Sequence, residues 1–194
     1  MPRVQRERAE FVTKTQPHLE PSRLIFVDES GFRLGSSPRY GWAPKGQDAP
    51  GKHVHGKWST MTMIGAIALD GFRGFTTIDA ATSAEVFRIF VEEELCPSLR
   101  AGDVVVMDNL SAHKDVRAIK AIRDVGADVL FLPPYSPEFN PIEKTWGKLK
   151  DILRKLGTLT REAFERAVAA AMDRITLEDI RAWTEHAGYR LTST

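Results

Sequence analysis

Three hydrophobic patterns alternate along the chain. The first is a short continuous apolar run that stops at an acid, as in "RLIFVDES" at 23–30 and "DVVVMDNL" at 103–110. Such runs suit strands buried on both faces, and "DVLFLPP" at 128–134 predicts a third. The second pattern is a pair of runs, "STMTMIGAIAL" (59–69) and "GFRGFTTID" (71–79), which flank the turn signal Asp70-Gly71 and predict two antiparallel strands. The third is helical spacing. Val86, Phe87, Phe90 and Val91 share one face behind the cap candidate Ser83, in a helix expected to end near Pro97. "HKDVRAIKAIRDVG" reads as a helix closed by Gly126, and Ile142, Trp146, Leu149 and Leu153 mark the core face of another. Two amphipathic helices follow, one after cap candidate Thr160 and one opening on a Thr176 to Asp179 capping box.

Strands first, then strand and helix in alternation, then helices: that order predicts an α/β sheet with helical cover. Residues 31–52, rich in glycine and proline, are expected to form turns around short strands. No internal repeat or long linker interrupts the pattern. The expected organisation is a polar extension over residues 1–22 and one domain over 23–194.

Composition changes this picture little. With 194 residues, 42% of them hydrophobic and 27% charged, the chain is long enough for one sizeable core. The single cysteine, Cys96, excludes an internal disulfide and a cysteine zinc cluster, which suits a reducing compartment. The charged start has no apolar signal region and no later run approaches membrane-spanning length, so a cytoplasmic protein with no membrane partner is expected. The net charge of +1 hides an uneven distribution. Arg33, Arg39, Lys45, Lys52 and Lys57 face only Asp48 between residues 31 and 58, with Tyr40, Trp42 and Trp58 interleaved. Lys144, Lys148, Lys150, Arg154 and Lys155 face only Asp151 between 144 and 155. Two basic stretches with aromatics suit a polyanion, although each alone also fits a solvated loop or helix face.

The chemistry gathers where the buried runs stop. Asp28 and Asp108 each end one, and neither is cheap to bury unpaired. If their strands are parallel neighbours, the two carboxylates lie side by side at the sheet edge where ligands collect. An oxygen-rich site without thiols suits Mg²⁺ or Mn²⁺. Glu143 follows the third run by a proline-rich loop, with 34 residues between it and Asp108, which is room for one strand–helix–strand crossover. Two readings of Glu143 compete. Asn140 is a good N-cap and Pro141 suits the first helical position, so Glu143 falls where a glutamate bonds back to its cap. The other reading is a metal ligand held at a helix start.

The motifs "FVDESGF", "GWAPKG", "VVMDNLSAHK" and "LPPYSPEFNPIEKTWGKLK", in this order over residues 24–150, resemble the DDE transposases of the mariner-type superfamily, in their bacterial insertion-sequence-630 branch. The last motif is the most specific and "VDES" the weakest. The resemblance implies an RNase H-like fold, with a mixed central sheet flanked by helices and with C-terminal helices. It implies that Asp28, Asp108 and Glu143 are both the catalytic residues and the ligands of two ions, Mg²⁺ or Mn²⁺. Those ions would serve phosphodiester hydrolysis and strand transfer on double-stranded DNA. Transposon ends and a TA target dinucleotide are the implied DNA, with a homodimer bound to paired ends and a nucleoid-associated location.

Other residues carry alternatives. Asn109 and His113 match the second motif and are candidates for lining the site, with hydrogen bonding at a strand end and helix cap as the competing role. Arg39, Trp42, Lys45, Lys144, Lys148 and Lys150 are candidate DNA contacts. Glu29 is read as a neighbouring charge, Trp146 as core, and Tyr135 and Ser136 as a turn that approaches DNA or only turns. "GQDAPGKH" (46–53) approximates a phosphate-binding loop, but His53 stands where a hydroxyl residue is needed and no buried strand leads in. "HVH" at 53–55 lacks partners at zinc spacing.

The family carries an N-terminal helix-turn-helix region, and the residues ahead of the first strand are too few for one. A catalytic half is therefore expected, with the helix-turn-helix half supplied by an upstream frame. The alternatives are a repurposed RNase H-like nuclease and a non-catalytic DNA-binding relic.

Overall fold

The computed structural model describes residues 3–36, 42–48 and 59–191. Five strands, β1 (Leu24–Arg33), β2 (Thr60–Ala68), β3 (Gly71–Ile78), β4 (Val104–Met107) and β5 (Asp128–Phe131), form one sheet in the order β3-β2-β1-β4-β5. The first three strands form an antiparallel meander, whereas β4 and β5 join β1 in parallel, so the sheet is mixed as expected. All five strands predicted from the apolar runs are present; of the short strands expected between the turns of 31–52, the described residues show only the end of β1 at Arg33. The central strand has no polar face at its start because both faces are covered. Leu24 and Phe26 enter one core cluster, and Ile25 and Val27 enter the other.

Helices α2 (Ala84–Phe90) and α3 (Val116–Asp124) supply Phe87, Phe90, Ala118 and Ile122 to the second cluster. Helices α4 (Ile142–Leu156), α5 (Arg161–Met172) and α6 (Leu177–His186) supply Trp146, Leu149, Leu153, Phe164 and Ile180 to the first. The caps explain where these helices begin. Ser83, Thr160 and Thr176 accept backbone N–H bonds from Val86, Ala163 and Asp179, the last within a complete capping box.

Two helices differ from expectation. The helix from Ser83 does not run unbroken to Pro97: it widens to a π-type turn at Val91–Leu95 and tightens to a 3₁₀ turn at Cys96–Ser98. Pro97 has no N–H to continue the ladder. The helix expected from His113 starts later, because Asp115 takes the N–H groups of Arg117 and Ala118 and leaves Ser111–Lys114 as a 3₁₀ turn. Gly126 closes that helix at φ 83°, as its position predicts.

The segment expected as a polar extension is folded against the domain. Residues Arg3–Glu10 form α1, and Phe11 behind it is buried and stacks on Phe139 at 5.1 Å. Arg8 donates to the Tyr135 carbonyl at 2.5 Å and pairs with Glu138. Gln16 donates to the Ala187 carbonyl at 2.8 Å, tying this segment to the C-terminal helices. A charged composition concealed it because one buried aromatic and the long-range hydrogen bonds of Arg8 and Gln16, rather than an apolar stripe, do the anchoring.

Candidate active site

Strand register sets the site. In the parallel pairing of β1 with β4, Phe26 lies opposite Val106. Two residues further on, Asp28 and Asp108 leave the same edge on the same face, since side chains alternate with period two. Glu143 arrives from the other direction, in the first turn of α4. Asp28, Asp108 and Glu143 line one cleft of about 520 Å³, with Asn109, Tyr135 and the prolines of residues 133–137 on its walls.

The capping reading of Glu143 is overturned. Asn140 makes no side-chain cap; its amide instead donates to the Val27 carbonyl at 3.2 Å, across 113 residues. Its backbone N–H goes to Pro137, so the carboxylate of Glu143 has no cap to close. The start of α4 is thus pinned to the middle of β1 by Asn140, which leaves the Glu143 side chain exposed in the cleft.

Trp146, expected as core, is buried and also polar in its action. Its indole N–H donates to Asp28 Oδ2 at 3.0 Å. The ring reaches over β2 at Gly65, the residue paired opposite Asp28, where a Cβ would come within 2.9 Å of it. Asp28 is pushed up to about 7, first by burial and then by the charges of Glu143 and Glu29, against the hydrogen bonds from the Glu29 backbone and Trp146. Burial also raises Glu143, with Asp108 adding to it and Lys150 opposing. Lys150 is lowered by burial and by Arg154, while Glu143 and Asp28 pull it upward.

Glu29, next to Asp28 in sequence, points to the opposite face. Its Oε2 lies 2.6 Å from Nε2 of His113, a fully buried ring at the 3₁₀ turn after β4. Nδ1 of the same ring lies 2.7 Å from Asp108 Oδ1, an ion-pair contact without hydrogen-bond alignment. Burial opposes charge on His113, but Asp108 and Glu29 outweigh it and take the ring to about 9. His113 in turn holds Asp108 below the ordinary carboxylate range. Asn109 lines the cleft and donates to the Leu132 carbonyl at 2.5 Å, joining the ends of β4 and β5. The motif match singled out His113; its two acidic partners are a product of the fold.

The donor chemistry fits divalent cations. The three carboxylates offer only oxygen, and a carboxyl driven upward by neighbouring acids is one that a cation would ionise. Trp146 uses one oxygen of Asp28, and both protein contacts of Asp108 fall on Oδ1, so each carboxylate keeps an oxygen for another partner. As placed, no group of three His, Cys, Asp or Glu side chains among the described residues closes round a single point.

The candidate DNA contacts divide. Lys150 stands within electrostatic reach of Glu143 and Asp28. Lys148 does not offer a free charge, because its ammonium is 2.5 Å from Asp179 and ties α4 to α6. Lys144 is exposed beside Trp183 and His186 in a neighbouring groove of about 320 Å³. Trp42 is fully exposed and Lys45 lies in an exposed turn. Arg39, Tyr40, Lys52, Trp58 and the "HVH" segment lie outside the described residues. Tyr135 is an exposed residue with φ 54°, unusual for a bulky side chain.

Among the described residues no helix is long and apolar enough to cross a membrane. No curated protein sequence matches the chain. Solved structures do. The Mos1 transposase paired-end complex with left transposon end is similar at a TM-score of 0.75 and 12% identity, covering 95% of this chain and 59% of that one. The Mos1 mariner paired-end complex with Mn gives 0.76 and 12%, with the same coverage. The catalytic domain of Mos1 mariner transposase gives 0.61 and 10%, covering 98% and 94%. This chain therefore spans about three-fifths of the Mos1 chains in the complexes, and its fold is the RNase H-like fold of the transposase catalytic domain. The family described as DDE superfamily endonuclease matches residues 23–165, which include Asp28, Asp108 and Glu143, and this chain belongs to it.

Proposed function

We propose that the chain is the catalytic part of a mariner-type cut-and-paste DNA transposase, of the bacterial insertion-sequence-630 branch. The observation that carries this reading is the shared cleft of Asp28, Asp108 and Glu143, delivered by two parallel strands and one helix start. The substrate would be double-stranded DNA carrying the element's ends, with a TA dinucleotide as target. A homodimer on paired ends completes the proposal. Such a protein works in the cytoplasm, on the nucleoid.

Asp28, Asp108 and Glu143 would hold two divalent ions, and Mos1 paired-end complexes have been solved with Mn and with Mg. Bound there, such ions lower the pKa of an attacking water or 3′-hydroxyl and offset charge on the leaving oxygen. The remaining work belongs to the protein. Trp146 fixes the rotation of Asp28, and Asn140 sets the origin of Glu143 relative to β1. Lys150 supplies positive charge beside the carboxylates, where a phosphate backbone would pass.

The test mixes the purified chain with pre-cut element ends, target DNA and Mn²⁺. Joining supports a transposase. Cutting without joining would assign a nuclease, and binding without either would assign a relic.

A further inference from the structure

Asp108 stands at the exposed end of β4, with its side chain 53% accessible, where a carboxylate rotates freely unless something holds it. What holds it is a ring on the opposite side of the sheet edge. His113 is wholly buried and packs against Phe87, with ring centroids 4.4 Å apart. Its Nδ1 faces Asp108 at 2.7 Å and its Nε2 faces Glu29 at 2.6 Å, so one ring bridges two adjacent parallel strands just past their last paired residues. Glu29 leaves β1 on the face opposite Asp28, so it is set to hold His113 rather than to join the cleft. The Leu110 N–H also falls on Asp108 Oδ1, at 2.9 Å, and Oδ2 accepts no hydrogen bond among the described residues.

We propose that Glu29 and His113 form a buried strut that fixes the Asp108 carboxylate with one oxygen presented to a divalent cation. Both are positioning residues for the reaction proposed above, and the inference rests on Asp108 being a metal ligand. Partners that orient a metal-binding carboxylate typically govern affinity by about ten- to hundredfold.

The experiment measures Mn²⁺ binding to the full chain without DNA, by loss of the free-ion electron paramagnetic resonance signal, with melting temperature followed alongside. His113→Ala is expected to weaken binding by about ten- to hundredfold. His113→Asn, whose amide nitrogen stands where Nδ1 stood, is expected to recover much of that loss. Glu29→Ala is expected to weaken binding in the same direction. Wild-type Mn²⁺ affinity in folded His113→Ala and Glu29→Ala overturns the proposal, as does His113→Asn binding no better than His113→Ala. If the His113 variants do not fold, Glu29→Ala decides alone: weaker binding supports the strut, unchanged binding overturns it. Asp108→Asn is the control. If it binds Mn²⁺ like wild type, the metal reading itself fails; if it loses binding while the strut variants keep it, only the strut fails.

Discussion

The indole N–H of Trp146 donates to Asp28 Oδ2 across 118 residues of sequence, and so couples the face of α4 to the middle of the central strand. Trp146→Phe keeps most of the buried ring and removes this donor. A hydrogen bond to a charged group is worth roughly 1.5–3 kcal/mol. The expected outcome is a further rise in the Asp28 pKa and a cleavage rate reduced by about tenfold or more at neutral pH. A pH–rate profile checks this, and an unchanged profile would remove Trp146 from the site.

Gly65 lies opposite Asp28 on β2, and a Cβ there would press on the far edge of the Trp146 ring. Overpacking a closed core typically costs about 1–3 kcal/mol. Gly65→Ala is therefore expected to lower stability to urea by that amount and to reduce cleavage through the displaced indole. Wild-type stability would show that the ring yields freely.

Asp28 has a folded-state pKa near 7 against an ordinary value of 3.8. The folded chain thus binds a proton that the unfolded chain releases, so this group's stabilising contribution is complete below about pH 4 and is lost as pH rises through 7. Melting temperature without metal should fall more over that window in wild type than in Asp28→Asn. Because Mg²⁺ or Mn²⁺ must displace the proton, half-saturating metal should fall as pH rises toward 7. Parallel melting curves for the two proteins would contradict the assignment.

Lys148 and Lys150 lie two positions apart in α4, yet the structure separates them. Lys150→Ala should flatten the salt dependence of DNA binding by about one unit per lost phosphate contact. Lys148→Ala should leave the slope alone and lower stability by at most about 1 kcal/mol, through loss of the half-exposed pair with Asp179. Equal salt slopes for both variants would refute the distinction.

What was legible in the sequence was whatever depends on near neighbours. The runs ending at Asp28 and Asp108 announced buried strands, and Ser83, Thr160 and Thr176 cap their helices where local chemistry places them. Asn140 was misread for the same reason. Its local pattern favours a cap, but its side chain bonds to Val27, a partner that no spacing rule reaches. Trp146 was rightly placed in the core, while the destination of its N–H required the sheet to be assembled first. Glu29 shows the limit most plainly. Period-two alternation assigns it the face opposite Asp28, yet nothing in the sequence states that His113 waits there.

The adjacency of Asp28 and Glu29 makes the alignment of the central strand a matter of chemistry as well as packing. A slip of β1 by one residue against β2 and β4 would exchange the two acids between faces. Glu29 would then meet Trp146, and Asp28, shorter by a methylene, would face His113. The eight paired positions along β2 therefore act as a proofreading device for the cleft. Changes far out on that strand, at Thr60 or Met61, would be felt in the cleft as errors in which carboxylate it presents.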